Sequence, residues 1–186
     1  SILSYGVLTF EILKGLRMPK FVPVNQQFFD TWSPEMAYVL GFFSADGCLT
    51  INPRGAHYLE FVSIDKDVLI KIRQVMKSEH SISLRKSVPN CKPAFRIQIG
   101  SKYIFQRLSK LGFTVNKSLT IQFPKVPPIL LSQYVRGYFD GDGCISCCTY
   151  RRRDRGNKLY TITQSRFTSG SKPFLEILYK HLKKEN

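Results

Sequence analysis

Two acidic residues stand in matched settings. Asp46 closes the run Ala37-Tyr-Val-Leu-Gly-Phe-Phe-Ser-Ala-Asp-Gly-Cys48, and Asp142 closes Gln133-Tyr-Val-Arg-Gly-Tyr-Phe-Asp-Gly-Asp-Gly-Cys144. Each run reads as a short apolar helix with a glycine at its middle and Asp-Gly at its end. Small side chains let two helices approach closely, and the surface they would share here is Gly41 and Ala45 against Gly137 and Gly141. Helices packed in that way hold their terminal carboxylates side by side. Paired carboxylates are hard oxygen ligands that suit Mg²⁺. Divalent cations flanking a scissile phosphate activate water and stabilise the leaving oxygen. A single Asp-Gly would be read as no more than the end of a helix. Two in matched context, in a strongly basic chain, point to phosphodiester hydrolysis.

Composition narrows the substrate. The chain of 186 residues carries 28 Lys and Arg against 13 Asp and Glu, a formal net charge of +15. A charge of that size on so short a chain calls for a polyanionic partner. Hydrophobic residues make up 43% of the sequence, with 14 Phe, enough for a packed core and against disorder. No apolar run reaches the roughly 18 residues a membrane span needs, so no membrane partner is expected. Five cysteines, three of them at Cys144, Cys147 and Cys148, do not make a disulfide framework. Reduced thiols in an intracellular, reducing compartment (a bacterial cytoplasm or an organelle) are expected instead. Cys144-x-x-Cys147 has no second pair to complete a zinc site.

The elements that position the two aspartates follow from caps and periodicity. Residues 1–32 read as a helix over 8–17, ended by Met18-Pro19, and an extended linker. Ser33 caps a helix whose first residue is Pro34 and which ends at Asp46-Gly47, glycine tolerating the backbone that terminates a helix. Strands follow at 48–51 and 57–64, joined by the turn Asn52-Pro-Arg-Gly55. A helix over 65–76, strands at 81–85 and 94–99, and a helix from Ser101 to Leu111 complete the first half, 33–124.

The second half, 125–186, repeats this order. Gly41, Asp46 and Cys48 recur 96 residues later as Gly137, Asp142 and Cys144. Phe61, Ser63, Lys66 and Leu69 recur 106 residues later as Phe167, Ser169, Lys172 and Leu175. The second hairpin is therefore longer, and the extra length falls at the basic stretch Tyr150-Arg-Arg-Arg-Asp-Arg-Gly156. A counterpart of residues 81–112 would fall beyond Asn186, so the second repeat is expected to be truncated after its second helix.

Val39-Leu-Gly-Phe-Phe-Ser-Ala-Asp-Gly47 and Val135-Arg-Gly-Tyr-Phe-Asp-Gly-Asp-Gly143 resemble the two motifs of single-chain LAGLIDADG homing endonucleases. The resemblance covers residues 33–186 and implies an α+β fold. That fold is a saddle of pseudo-twofold αββαββα repeats, with antiparallel β-ribbons for DNA and the motif helices between the halves. It also implies a site-specific nuclease of intron or intein mobility, acting on a long asymmetric duplex as a pseudo-symmetric monomer, unless another chain supplies the rest of the second half. By the same resemblance Asp46 and Asp142 bind Mg²⁺, with the carbonyls of Ala45 and Gly141 beside them; Mn²⁺ or Ca²⁺ can substitute in binding. Ser44 departs from the family's acidic position, which Asp140 keeps. Gln98, or Lys102 as runner-up, matches the family's polar residue near the end of the fourth strand, and Lys117 matches a stretch expected at phosphate.

Sequence readout should fall on the hairpins, whose alternate residues share a face. The expected DNA-contacting residues are Thr50, Asn52, Arg54, Tyr58 and Glu60 on the first hairpin, and Ser146, Tyr150, Arg152, Gln164 and Arg166 on the second. Arg151, Arg153, Arg155 and Lys158 are expected at phosphates, with Arg85, Lys86 and Arg96 extending the first surface. Two rival readings stand beside a nuclease: a LAGLIDADG DNA-binding protein with weak or no catalysis, and a maturase that binds intron RNA.

Overall fold

The computed structural model describes residues 21–85, 93–115 and 117–184. The helix expected over 8–17, Lys86 and the side chain of Arg155 lie outside the described residues.

Helix α1 runs from Pro34 to Asp46. Ser33 Oγ accepts the Met36 N–H at 3.1 Å, and Pro34 occupies the first turn, where a missing N–H leaves nothing unsatisfied. The helix is apolar on every side and is accordingly buried on every side, through Met36, Ala37, Val39, Leu40, Phe42 and Phe43. Strands β1 (Gly47–Ile51) and β2 (His57–Ser63) follow as a hairpin. Helix α2 (Lys66–Val75), capped by Asp65, leads to β3 (Ile82–Leu84) and β4 (Phe95–Gly100). Helix α3 (Lys102–Lys110) is capped by Ser101, and the chain leaves it through Gly112 at φ 98°, left-handed backbone that suits glycine. The four strands form one antiparallel sheet in the order β1-β2-β4-β3. Leu49, Leu59, Phe61, Ile97 and Ile99 bury one face of it against the helices.

Helix α4 (Leu131–Asp142) opens the second half. Strands β5 (Gly143–Arg152) and β6 (Lys158–Phe167) form a separate two-stranded ribbon of ten residues a side, closed by a 3-10 turn at Arg153–Arg155. Helix α5 (Lys172–Lys184) packs Phe174 and Leu178 into the shared core. The longer, basic second hairpin expected from the change of offset is therefore present.

Residues 21–32 lie against the first half and do not form a loose linker. Phe29 is buried, Arg107 donates to the carbonyls of Phe29 and Asp30, and Tyr103 donates to Asp30. Downstream of α3, the Ile121 carbonyl accepts from Ser171 Oγ at 2.8 Å, and the Phe123 ring meets Tyr134 edge to face and Phe174 at a tilt. The stretch before residue 125 thus already belongs to the core of the second half, and one hydrophobic cluster runs through both.

The glycines that end α1 and α4 serve a different purpose from the one expected. Gly47 has φ −96° and Gly143 φ −81°, ordinary extended backbone. A side chain at either position would run into the ring and carbonyl of the preceding aromatic residue, Phe43 or Phe139. They make room for the sharp passage from helix to strand and supply no unusual dihedral.

Candidate active site

The two motif helices touch along their small residues. A methyl group on Gly41 would meet the backbone carbonyl of Tyr134, and one on Gly137 the backbone carbonyl of Tyr38. Near the end of the seam, a methyl on Gly141 would strike Ala45 and sit 3.6 Å from Asp46 Oδ2. The Asp46 carboxylate therefore lies against the neighbouring helix, in the territory of Asp142. All four small residues expected at this surface are there.

Electrostatics show the same proximity. Burial, and after it the charge of Asp142, pushes the Asp46 carboxyl up to about 6, against a smaller opposing pull from Lys117. Burial also raises Asp142, again opposed by Lys117. Two half-buried carboxylates without enough positive charge around them favour a cation. Among the described residues no cluster of three or more His, Cys, Asp or Glu side chains forms a metal cage. One or two carboxylates, completed by water and phosphate oxygens, are what Mg²⁺ takes at nucleic-acid sites, so the donor set fits that ion.

Lys117 is placed differently from the expected exposed phosphate contact. It is 4% exposed, and its Nζ donates to the carbonyls of Ser44 at 2.7 Å and Ala45 at 3.2 Å. These carbonyls belong to the last turn of α1, where helical partners run out and the dipole is negative. The ammonium caps the helix that carries Asp46 and lies 5.8 Å from the centre of the Phe43 ring. Burial brings it down to about 8, while Asp142, Cys48 and Asp46 pull it up. The Ala45 carbonyl, expected beside a metal, is thereby a lysine acceptor. Replacing Lys117 with Met should push the Asp46 carboxyl above its present value and slow any cleavage about 10²-fold. NMR titration of the Asp46 side chain checks the first part; an unmoved titration would separate the lysine from the carboxylates.

A second pair of contacts fastens the helices and was missed from sequence. Ser44 Oγ donates to the Leu40 carbonyl and receives the Tyr134 hydroxyl at 2.8 Å, all of it buried. The offset of 96 relates this pair to Tyr38 and Asp140, where the Tyr38 hydroxyl donates to Asp140 Oδ2 at 2.7 Å on the exposed side. The signal was available, since tyrosine recurs at 38 and 134 in both runs. The pair also explains the departure at Ser44: a carboxylate there would be buried, whereas Asp140 is wet. Ser44→Asp should therefore destabilise the chain by about 3 kcal/mol, and Asp140→Ser by about 1 kcal/mol or less, in urea unfolding.

The strands carry the remaining residues away from the aspartates in rows. β1 starts at Gly47, directly after Asp46. The first row facing away from the core is Cys48–Glu60–Gln98, and the next is Thr50–Tyr58–Gly100. Gln98 thus stands in the row nearest the carboxylates, on the far side of β2 from β1, donating to Glu60 Oε2 at 3.2 Å. Arg96 also reaches Glu60, at 3.6 Å. Lys102 is not brought to the site. It lies beyond Gly100, at the hairpin end of the sheet, because α3 starts there. Asn52, expected to read bases, instead accepts the N–H groups of Arg54 and Ala56 and holds the turn. Arg54 and Arg85 are exposed, and Arg85 is close enough to Cys48 to act on its thiol.

On the ribbon the register gathers Ser146, Tyr150, Arg152, Lys158, Gln164 and Arg166 on one face, and puts Arg151 on the other. Arg153 is exposed at the tip. Arg152 is held by Asp154 and lies over the Tyr160 ring at 5.7 Å.

No protein-family model matches the sequence, and no curated protein matches it. Solved structures do. I-SmaMI bound to an uncleaved DNA target in the presence of calcium ions aligns with a TM-score of 0.53 at 14% identity, over 82% of this chain and 74% of that one. A point mutant of I-SmaMI aligns at 0.55 and 13% identity, over 82% and 73%. The fold is that of the LAGLIDADG endonucleases. I-LtrWI bound to target DNA aligns at 0.45 and 12% identity, over 76% of this chain and 66% of its own. The chain spans 66% of several such structures, just under two thirds of their length. In LAGLIDADG terms, α1 and α4 are the two motif helices, and β1–β4 and β5–β6 are the sheets that descend from them. Among the described residues no helix is long and apolar enough to cross a membrane.

Proposed function

We propose that the chain is a site-specific endonuclease that hydrolyses phosphodiester bonds in double-stranded DNA with a divalent cation, Mg²⁺, held by Asp46 and Asp142. The observation that carries this is the shared seam: one glycine-lined contact places both carboxylates at the root of two solvent-facing strand surfaces in a +15 chain. A cation held there supplies the acidity that turns water into a nucleophile at neutral pH and offsets charge on the leaving oxygen. The chain's own groups do the rest. Asp46 and Asp142 orient that water and hold the cation. Lys117 fixes the end of α1 and lends positive charge to the same spot. Gln98, anchored on Glu60, offers an amide toward the nearest phosphate. Water attacks phosphorus, the bond to the 3′ oxygen breaks, and 5′-phosphate and 3′-hydroxyl ends remain. The exposed Arg151, Arg153, Lys158 and Arg166 of the ribbon, with Arg54 and Arg85 of the first half, bind the phosphate backbone and set the register of the strands in the major groove.

The test is incubation with a pooled duplex library in Mg²⁺ and in EDTA. Cleaved ends that appear only with Mg²⁺ support the reading. Selective binding without cleavage would make the chain a DNA-binding protein, and preference for structured intron RNA over duplex would make it a maturase. Binding should also respond to salt: affinity for duplex is expected to fall about 10³-fold between 50 and 200 mM, as counterion release at several phosphates requires. A flat response, read by fluorescence anisotropy, would remove the charge-based argument.

A further inference from the structure

Three thiols stand close together on β5, at Cys144, Cys147 and Cys148, and all three are exposed. The strand register divides them. Cys144 pairs with Arg166 and Cys148 with Ile162, on the face that also carries Arg152 and Lys158. Cys147 pairs with Thr163 on the opposite face, where the Thr163 hydroxyl donates to its sulfur at 3.8 Å. Phe167 shares that opposite face and packs its ring on Tyr138 and Phe139 of α4. Cys147 is therefore on the side of the helices, and Cys144 and Cys148 are on the side turned away from them.

Strand geometry keeps the three sulfurs apart. Adjacent residues point to opposite faces, which separates Cys147 from Cys148. Cys144 and Cys148 share a face but are about 13 Å apart along the strand, whereas a disulfide needs Cα atoms within about 7 Å. Oxidation of β5 therefore cannot close a disulfide within the strand, and each thiol must take its partner from outside. The face that holds Cys144 and Cys148 is basic: Arg166 lies directly across from Cys144, and Arg152 and Lys158 face each other toward the tip. Such a face attracts an anionic thiol compound.

We propose that Cys144 and Cys148 are a modification site for an anionic low-molecular-weight disulfide of the glutathione class, and that the mixed disulfide shuts the ribbon out of the duplex. The inference rests on the duplex-DNA reading above. The cysteine thiolate attacks one sulfur of the disulfide. That S–S bond breaks, a protein–glutathione S–S bond forms, and a glutathione thiolate leaves and takes up the proton the cysteine released. A two-stranded ribbon enters a major groove about 12 Å wide with little to spare. A tripeptide on its groove side fills that clearance. Its carboxylates also meet the phosphates and compete with them for the same cations.

The experiment measures duplex binding by the whole chain in EDTA, by fluorescence anisotropy, before and after treatment with glutathione disulfide. Affinity for a mixed-sequence duplex should fall about tenfold or more and return with dithiothreitol. Mass spectrometry should find adducts on Cys144 and Cys148. The Cys144→Ser, Cys148→Ser double variant should bind equally before and after treatment, while Cys147→Ser should lose affinity as the wild type does. Unchanged thermal melting of the treated protein distinguishes a blocked face from an unfolded chain. Several results overturn the assignment and leave the nuclease reading intact: no adduct at these cysteines, binding that survives their modification, loss that persists in the double variant, loss that comes with unfolding, or disulfide-linked dimers in place of adducts. Absence of binding to any duplex by the reduced chain overturns both.

Discussion

Asp46→Asn is expected to lower Mg²⁺-dependent cleavage by about 10³-fold or more while duplex binding is kept, and Asp142→Asn to do the same. An amide keeps the shape of the carboxylate and loses the charge that holds the cation. The same substitution should have the opposite effect on stability. In metal-free protein the folded state holds the Asp46 proton up to about 6, above the ordinary value of 3.8. Between those two pH values the folded chain binds more protons than the unfolded one, so stability falls as pH rises through the window and is lowest above it. A shift of this size corresponds to about 3 kcal/mol, reduced to about 1 kcal/mol because the carboxyl is partly exposed and solvent-screened. In EDTA at pH 7 the asparagine variant should thus unfold at higher urea than the wild type. At pH 4 the two should converge, and added Mg²⁺ should reverse the order by binding only the wild type tightly. Equal cleavage by wild type and variant would remove Asp46 from the reaction. A variant less stable than wild type in EDTA would show that the carboxylates do not repel.

Gly137→Ala is expected to destabilise the chain by about 3 kcal/mol or more, and Gly41→Ala similarly. On an open helix the same change would stabilise by up to about 1 kcal/mol, because alanine is the better helix former. The sign therefore reports the contact. The added methyl on helix α4 would press on the Tyr38 carbonyl oxygen and lie 3.0 Å from Phe42 N; on helix α1 it would press on the Tyr134 carbonyl oxygen and lie 2.9 Å from Tyr138 N. All of these are backbone atoms, so no side-chain rotation relieves the clash, and the helices must separate. The double variant should be less destabilised than the sum of the two, since one separation serves both. Cleavage should fall even where the variants stay folded, because the carboxylates part with the helices. Urea unfolding measures the first effect and single-turnover cleavage the second; tolerance within 1 kcal/mol would contradict the close approach.

Local signals made most of the elements legible. Ser33, Asp65 and Ser101 each accept a backbone N–H two or three residues ahead, where a capping residue should, so the starts of α1, α2 and α3 were visible in the chain. The internal repeat made the glycine seam and the pair of aspartates visible, because an offset survives where single residues would not persuade. What the sequence hid depends on distant parts meeting. Lys117 reads as one more surface lysine, and only the fold puts it under the end of α1, 73 residues away. Lys102 looked close to Gln98 in sequence but is carried to the other end of the sheet by the direction of β4. Asn52 looked like a reader because its turn was not credited with needing an acceptor. The strand order β1-β2-β4-β3 leaves no mark on any single segment.

The helix seam has a consequence for how such a chain can diverge. The same few residues bring two helix backbones into contact and mount the carboxylates, so a substitution there is felt in folding and in chemistry together. The face of β6 that carries Arg166, Gln164 and Ile162 is exposed and lies away from that seam. Lineages descending from this chain should consequently drift in what they recognise long before they drift in what they do, with ribbons that turn over between relatives whose helical heart stays the same.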